Sequence, residues 1–309
     1  MTTDLVRLKS FLYAAEQMSF TEAARLLHLT QPTVSHHIKG LEQELGVSLF
    51  DRTGARLRLT DAGRFLLPRA RKIVRQYNSM QELMASLEED TVGHLRIACS
   101  TTCGKYLLPQ FAARFKERHP GVEVTIFSCT SEDIVPRLLG GEAELGVVSY
   151  EARQQGIDAQ EFFVDAISLL VPTEHPWTRW PAVDPTDLLE EKIIIREPTS
   201  GTLRVMLSEL AKHSLSLDDL DIFLELGNAE AIVMTIAAGF GVSFVSRLAA
   251  ACSRNRGEVI EVPVAGLQLR RQIYMIRRSL ETPVPAREAF WEFIHHPANY
   301  DLLLLPEAD

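Results

Sequence analysis

The hydrophobic period of this chain changes once, near residue 90, and that change restricts the fold more than any other feature. Before it, apolar residues recur at intervals of three and four, the spacing of one helical face; after it, short apolar runs alternate with helical stretches. A helical head followed by an α/β body is the expected fold class. The length, 309 residues, is a soft prior for about two domains. Charge follows the same division. The whole-chain value of −9 would argue against a nucleic-acid partner if it were spread evenly. Residues 1–76, however, carry 12 basic and 7 acidic side chains, a balance of +5, while residues 77–309 carry 20 and 34, a balance of −14.

In the head, Leu5, Leu8, Phe11, Leu12 and Ala15 predict a helix to about Met18. Ser19 or Thr21 can cap a second, two-turn helix with Ala23, Ala24 and Leu27 inward, interrupted at His28, Leu29 and Thr30. Thr30 is the natural N-cap of a third helix. Pro32 sits in its first turn, Val34, Ile38, Leu41 and Leu45 form its buried stripe, and Gly46 ends it. Two short helices joined by a tight turn are the helix-turn-helix layout. Gln31, Thr33, Ser35, His36 and Lys39 fall on the opposite face, where such a layout reads base edges in the major groove; a plain solvated face is the simpler account of any one of them. The two short runs around Thr53 and Gly54 predict a hairpin. Arg52, Arg56 and Arg58, with Lys39, gather positive charge there, suited to phosphates or a narrow minor groove.

From Asp61 to about Glu89 apolar residues keep helical spacing, including Phe65, Ile73, Tyr77, Met80 and Met84, and predict one long amphipathic helix. Such a helix buries its stripe against a partner, here expected to be a second copy; packing on the chain's own body is the alternative. Beyond Gly93 the order strand, helix, strand, helix, strand repeats in two halves, a doubly wound arrangement. The expected strands include 94–98, 122–129, 143–149, 166–172, 192–196, 221–225 and 272–277, with helices at 106–118, 134–139 and 203–215 and a last one at 285–295.

The run AARLLHLTQPTVSHHIKGLEQELGVSLFDRTGARLRLTDAG, residues 23–63, resembles the winged helix-turn-helix of LysR-type bacterial transcriptional regulators. By that resemblance Gln31, Pro32, Thr33, Ser35 and His36 fall on groove-facing positions and Arg52 on the wing arginine. The stretches ELGVVSY, LLVPTEHP and AIVMTIAAGFGVSFVS resemble the effector domain of the same family, which is similar in fold to periplasmic solute-binding proteins, two α/β lobes with a ligand cleft at the crossing strands. The chain departs from the pattern at His36, where basic or amide side chains are common, and at Ser246, where proline is common. The resemblance covers residues 3 to about 295 and leaves out the Leu-rich tail. It implies a winged helix-turn-helix at 1–60, a linker and dimerisation helix at 61–90, and an effector domain at 91–309, with one lobe at about 91–165 and 271–309 and the other at about 166–270.

In such sheets, ligands bind beyond the carboxyl ends of the strands, where helix N-termini present free N–H groups. The loops at those ends carry Ser100, Thr101, Thr102 and Cys103; Thr130 and Ser131; Ser149; Arg196, Thr199, Ser200 and Thr202; and Asn228. For a single loop, capping of the next helix is the simpler account. Together they point to a small anionic effector, with Arg196 as a bidentate partner, and the resemblance to family members implies a sulfur oxyanion or a phosphorylated or carboxylic metabolite. The implied partners are double-stranded DNA, this effector, a second copy or a tetramer of the chain, and RNA polymerase if the protein activates.

Four scattered cysteines suggest thiols in a reducing cytoplasm, with Cys103 open to a lowered pKa at a helix start. The first residues lack the pattern of a secretory signal, and no membrane partner, cofactor or metal is expected. Gly239-Phe240-Gly241 is too short for a dinucleotide fingerprint, and no nucleophile elbow occurs. An enzyme, or a cytosolic solute-binding module, with an appended dimerisation head is the competing reading; the first has no catalytic signature behind it, and the second leaves the wing arginines unexplained.

Overall fold

The computed structural model describes residues 4–51, 57–85, 91–279 and 284–303, in two compact units, Met1–Glu88 and Glu89–Asp309. In the first unit, α1 (Leu5–Gln17), α2 (Phe20–Leu26) and α3 (Gln31–Leu45) each begin at a polar side chain that takes up an orphan N–H. The Asp4 carboxylate accepts from the Val6 amide, the Ser19 hydroxyl from Glu22 and the Thr30 hydroxyl from Thr33. Gly46 ends α3 at φ 69°, the left-handed conformation that glycine adopts without a Cβ clash. Phe11, Val34, Ile38, Leu41 and Phe50 are buried together, with Phe50 packed edge-on against Phe20.

The strands β1 (Phe50–Asp51) and β2 (Arg58–Leu59) pair antiparallel and form the base of the expected hairpin; Arg52 and Arg56 lie outside the described residues. Thr60 donates to the Ser48 carbonyl and accepts from the Gly63 amide, which ties the hairpin to α4 (Asp61–Ala85). A Cβ on residue 63 would sit 2.2 Å from the Leu49 carbonyl oxygen, so the helix approaches the strand this closely only with glycine there. Helix α4 belongs to the first unit: Ala70 and Val74 face the head core. Phe65, Ile73, Tyr77, Met80 and Met84 stay exposed, at 63% for Phe65 and 60% for Met84.

The second unit contains the expected parallel strands β3 (Gly93–Cys99), β4 (Val122–Ser128) and β5 (Leu145–Val148), with β3 between the other two. The helix expected at 106–118 begins earlier and is broken: α5 (Thr101–Tyr106) and α6 (Leu108–Arg118) meet at Leu107, with Pro109 in the first turn of α6. Ser131–Gly140 forms α7.

The strand expected at Ala166 instead begins at Ile157, so β6 (Ile157–Pro172) runs unbroken through residue 165. Its early residues Asp158, Ala159, Gln160 and Glu161 are exposed and, apart from Ala159, polar, so no apolar alternation announces them; pairing with β11 (Arg270–Arg278) holds them. Beyond Ala166, β6 pairs with β9 (Ser243–Ser246) and β10 (Val259–Val262). The resulting sheet has the order β10-β6-β11-β5-β3-β4, with β9 also on β6, and its two long antiparallel strands cross between the lobes. The parallel pair β7 (Lys192–Arg196) and β8 (Asp221–Leu226) joins β9 through backbone bonds between Val242 and both Lys192 and Ile194.

Helices α8 (Gly201–Ala211), α9 (Ala229–Ala237), α10 (Arg247–Asn255) and α11 (Pro285–His295) complete the unit, of which α10 and β10 were not expected from periodicity. The tail is not idle. Pro297–Leu303 forms a 3-10 turn that seats Leu302 and Leu303 on the first-lobe core, and Asp301 pairs bidentately with Arg114. Among the described residues, no helix is long and apolar enough to cross a membrane.

Candidate functional site

The head presents the face expected of it. On α3, Gln31, Pro32, His36 and Lys39 are exposed, Thr33 and Ser35 are half-buried, and Val34, Ile38 and Leu41 are buried. Thr33 also shares a hydroxyl contact of 2.8 Å with the Thr30 cap, so it serves the helix start locally. The neighbouring His37 turns inward and meets the buried Ser10 hydroxyl at 2.9 Å, which fixes α3 against α1. Arg58 is exposed on β2.

In the second unit, segments far apart in sequence converge on one pocket. Ser100, Thr101, Thr102, Cys129, Thr130, Ser131, Ser149, Arg196, Glu197, Ser200, Gly201 and Arg271 line one narrow pocket with a cavity volume of about 30 Å³. Eight of the twelve expected residues are therefore together. Cys103, Thr199, Thr202 and Asn228 do not line it. Cys103 is buried in the first-lobe core, Thr202 is buried in the first turn of α8, and Asn228 caps α9 by accepting from the Glu230 amide at 2.8 Å.

The capping account separates the loops. Ser200 caps α8 through the Thr202 amide, as Asn228 caps α9. Ser100 and Thr130, by contrast, occupy the cap positions of α5 and α7 without a side-chain cap bond. The Thr130 hydroxyl donates to the Asp133 carboxylate, and the first N–H groups of α7 have no side-chain cap from Thr130.

Charge in the pocket is paired. Arg196 is buried and donates from Nε and Nη2 to the two carboxylate oxygens of Glu197, at 2.8 and 2.9 Å. Sequence reasoning missed the second cation. Arg271, at the start of β11, donates from Nε to Asp165 Oδ2 at 2.9 Å, and its Nη2 lies 2.7 Å from the same oxygen. Ser246 donates to the other oxygen at 2.8 Å, so the position that departs from the usual proline holds the carboxylate. Arg271 and Asp165 face each other across β11 and β6, a pairing that only strand register brings about.

The expected activation of Cys103 is not found. Burial pushes its thiol up to about 11, outweighing the Arg271 charge and a hydrogen bond with Ser100 that act the other way. Burial likewise raises Cys99 well above the ordinary thiol range. Among the described residues no group of three His, Cys, Asp or Glu side chains is placed to hold a metal ion.

Two family models match the chain: "Bacterial regulatory helix-turn-helix protein, lysR family" over residues 5–64 and "LysR substrate binding domain" over residues 88–298. The chain is 32% identical to an uncharacterized HTH-type transcriptional regulator of Methanocaldococcus jannaschii over 93% of its own length and 96% of the relative's. The crystal structure of full-length CbnR complexed with its target DNA is similar in fold, with a TM-score of 0.69 at 23% identity, covering 94% of this chain and 98% of that one. The Synechocystis PCC6803 CcmR regulatory domain in complex with 2-PG aligns at a TM-score of 0.60 and 26% identity, over 65% of this chain and 95% of that domain. This chain belongs to the LysR family of helix-turn-helix transcriptional regulators.

Proposed function

We propose that this regulator reads an inverted-repeat operator through paired heads and changes its grip on that operator when a small anionic metabolite enters the pocket of the second unit. The observation that carries the first part is the division of α3: Gln31, Pro32, His36 and Lys39 outward, Val34, Ile38 and Leu41 inward. On this reading Gln31 pairs with adenine, with Thr33 and Ser35 beside it, and Lys39, Arg58, Arg52 and Arg56 supply phosphate contacts. CbnR, the neighbour seen with its target DNA, supports the reading. The exposed stripe of Phe65, Ile73, Tyr77, Met80 and Met84 on α4 supports pairing of two copies there.

The pocket supports an anion through three groups of donors: hydroxyls at Ser100, Thr101, Thr102 and Ser149, the α7 start at Thr130 and Ser131, and the buried arginines. The 2-PG bound by the CcmR domain is an example of such chemistry in a relative. Domain limits of 1–60, 61–90 and 91–309 follow the same reading, with the long helix serving the head. The setting is cytoplasmic, and an activating role would add RNA polymerase as a partner. The effector must bind one arrangement of heads better than another; a tenfold preference corresponds to about 1.4 kcal/mol.

Footprinting of the full-length protein on the DNA upstream of its own coding region, with and without candidate metabolites, tests the whole reading. Protected half-sites whose spacing shifts with one metabolite are expected. Absence of specific protection under every condition overturns it.

A further inference from the structure

Resting on the reading of the pocket as an anion site, we propose that Arg271 is the residue that recognises the anion, with Asp165 and Ser246 behind it as positioning residues. A guanidinium offers two forks of N–H donors. The side fork of Arg271, Nε and Nη2, goes to Asp165 Oδ2, while Ser246 holds Oδ1. The end fork, Nη1 with the second proton of Nη2, remains. The hydrogen bond and the ion pair of Arg271 use Nε and Nη2 and leave Nη1 out, while its side chain, 93% buried, lines the pocket. A Cβ built on Gly201 would come within 2.9 Å of Nη1 and 2.2 Å of the Ser149 hydroxyl, so a cation, a hydroxyl and the first turn of α8 converge on one point.

Arg196 is the natural rival, and the lining decides between them. Glu197, which neutralises Arg196, is itself part of the pocket wall, so an anion approaching Arg196 meets a carboxylate as well. Asp165, which neutralises Arg271, is 1% exposed and not part of the wall. An anion at Arg271 therefore meets the guanidinium first and its counter-charge behind. The end fork matches two oxygens of one oxyanion group, a carboxylate or a phosphate. Because Ser149 follows β5 of the first lobe, Gly201 begins α8 of the second and both line the pocket with Arg271, an anion held at Arg271 lies beside both lobes and the strand that crosses between them.

Calorimetric titration of the full-length protein with inorganic phosphate and, separately, with malonate tests this and shows which oxyanion is taken. Arg271→Gln is expected to weaken the preferred probe at least tenfold, and Arg196→Gln less than threefold. Since Arg271→Gln leaves Asp165 unpaired, the double variant Asp165→Asn/Arg271→Gln, a neutral pair of similar shape, is measured with it; thermal unfolding verifies that it folds, and it is expected to lose binding equally. Ser246→Ala is expected to weaken binding several-fold and Ser246→Thr, which keeps the hydroxyl, to restore it. A folded double variant that binds like wild type, or loss of binding in Arg196→Gln alone, overturns the assignment and leaves the anion pocket standing. If neither probe binds wild type at millimolar concentration, the anion pocket itself fails, and the assignment with it.

Discussion

The two units handle charge in opposite ways. On α3, Lys39 stands exposed, and the hydrophobic stripe beneath it would be the same without it. In the second unit, Arg196 and Arg271 are buried and each is already matched to a carboxylate. Exposed cations attract a polyanion at long range and are screened by salt; buried, oriented ones act only at contact, where geometry discriminates. The comparison teaches that net charge does not describe a site: exposure and pairing set what each cation can do, whatever the balance of the unit around it.

The largest effect that can test this contrast is on stability. Asp165→Ala strands a buried guanidinium and is expected to destabilise the second unit by about 3–5 kcal/mol, whereas Lys39→Ala changes the first by less than about 0.5 kcal/mol. Urea unfolding followed separately for the two units measures both; equal small losses would erase the distinction. Next in size is the thiol beside the dyad. With its pKa raised from 9.0 to about 11, Cys103 holds about a hundredfold less thiolate near neutral pH than an ordinary thiol, so exposed Cys252 is alkylated first. The sign follows for stability as well: burial of the neutral thiol contributes fully below pH 9.0, and its contribution is lost as pH rises towards 11. Mass spectrometry of partial alkylation at pH 8 measures the order, and early labelling of Cys103 would contradict the burial.

In the head, Gln31→Ala is expected to remove about 1–3 kcal/mol of preference for operator over random DNA. Lys39→Ala instead weakens both DNAs alike and lowers the salt slope by about one. Fluorescence anisotropy across a salt series separates the two; a uniform loss in Gln31→Ala would take Gln31 off the reading face. The smallest effect sharpens the pocket boundary. Asn228→Ala removes a cap worth about 1 kcal/mol and leaves phosphate or malonate affinity unchanged, since Asn228 serves the Glu230 amide and not the pocket. A loss of affinity without a loss of stability would return Asn228 to the ligand.

The helices of the first unit were largely legible, because local rules decide them: Ser19 and Thr30 as caps, Pro32 in the first turn, Gly46 as the stop and the stripe of Val34, Ile38 and Leu41 all act within one or two turns of chain; Leu45, expected in that stripe, is exposed at the last turn of α3. The second unit was legible only in part. Ser100, Thr130 and Ser149 could be found because each follows an apolar strand. The early half of β6 could not, because exposed polar residues such as Gln160 and Glu161 are held by a partner strand more than a hundred residues away.

What the sequence determined by itself was the change from a helical head to an α/β body, the helix-turn-helix with its outward face, and the hydroxyl-rich loops at the strand ends. Those depend on period, capping and turn chemistry, which are short-range. Only the tertiary structure decided that Arg196 is spoken for by its neighbour, that Cys103 sinks into the core, and that Arg271 stands against Asp165 in the wall of the pocket. Those outcomes depend on strand register and on which groups lose water together, and neither is written in any one stretch of chain.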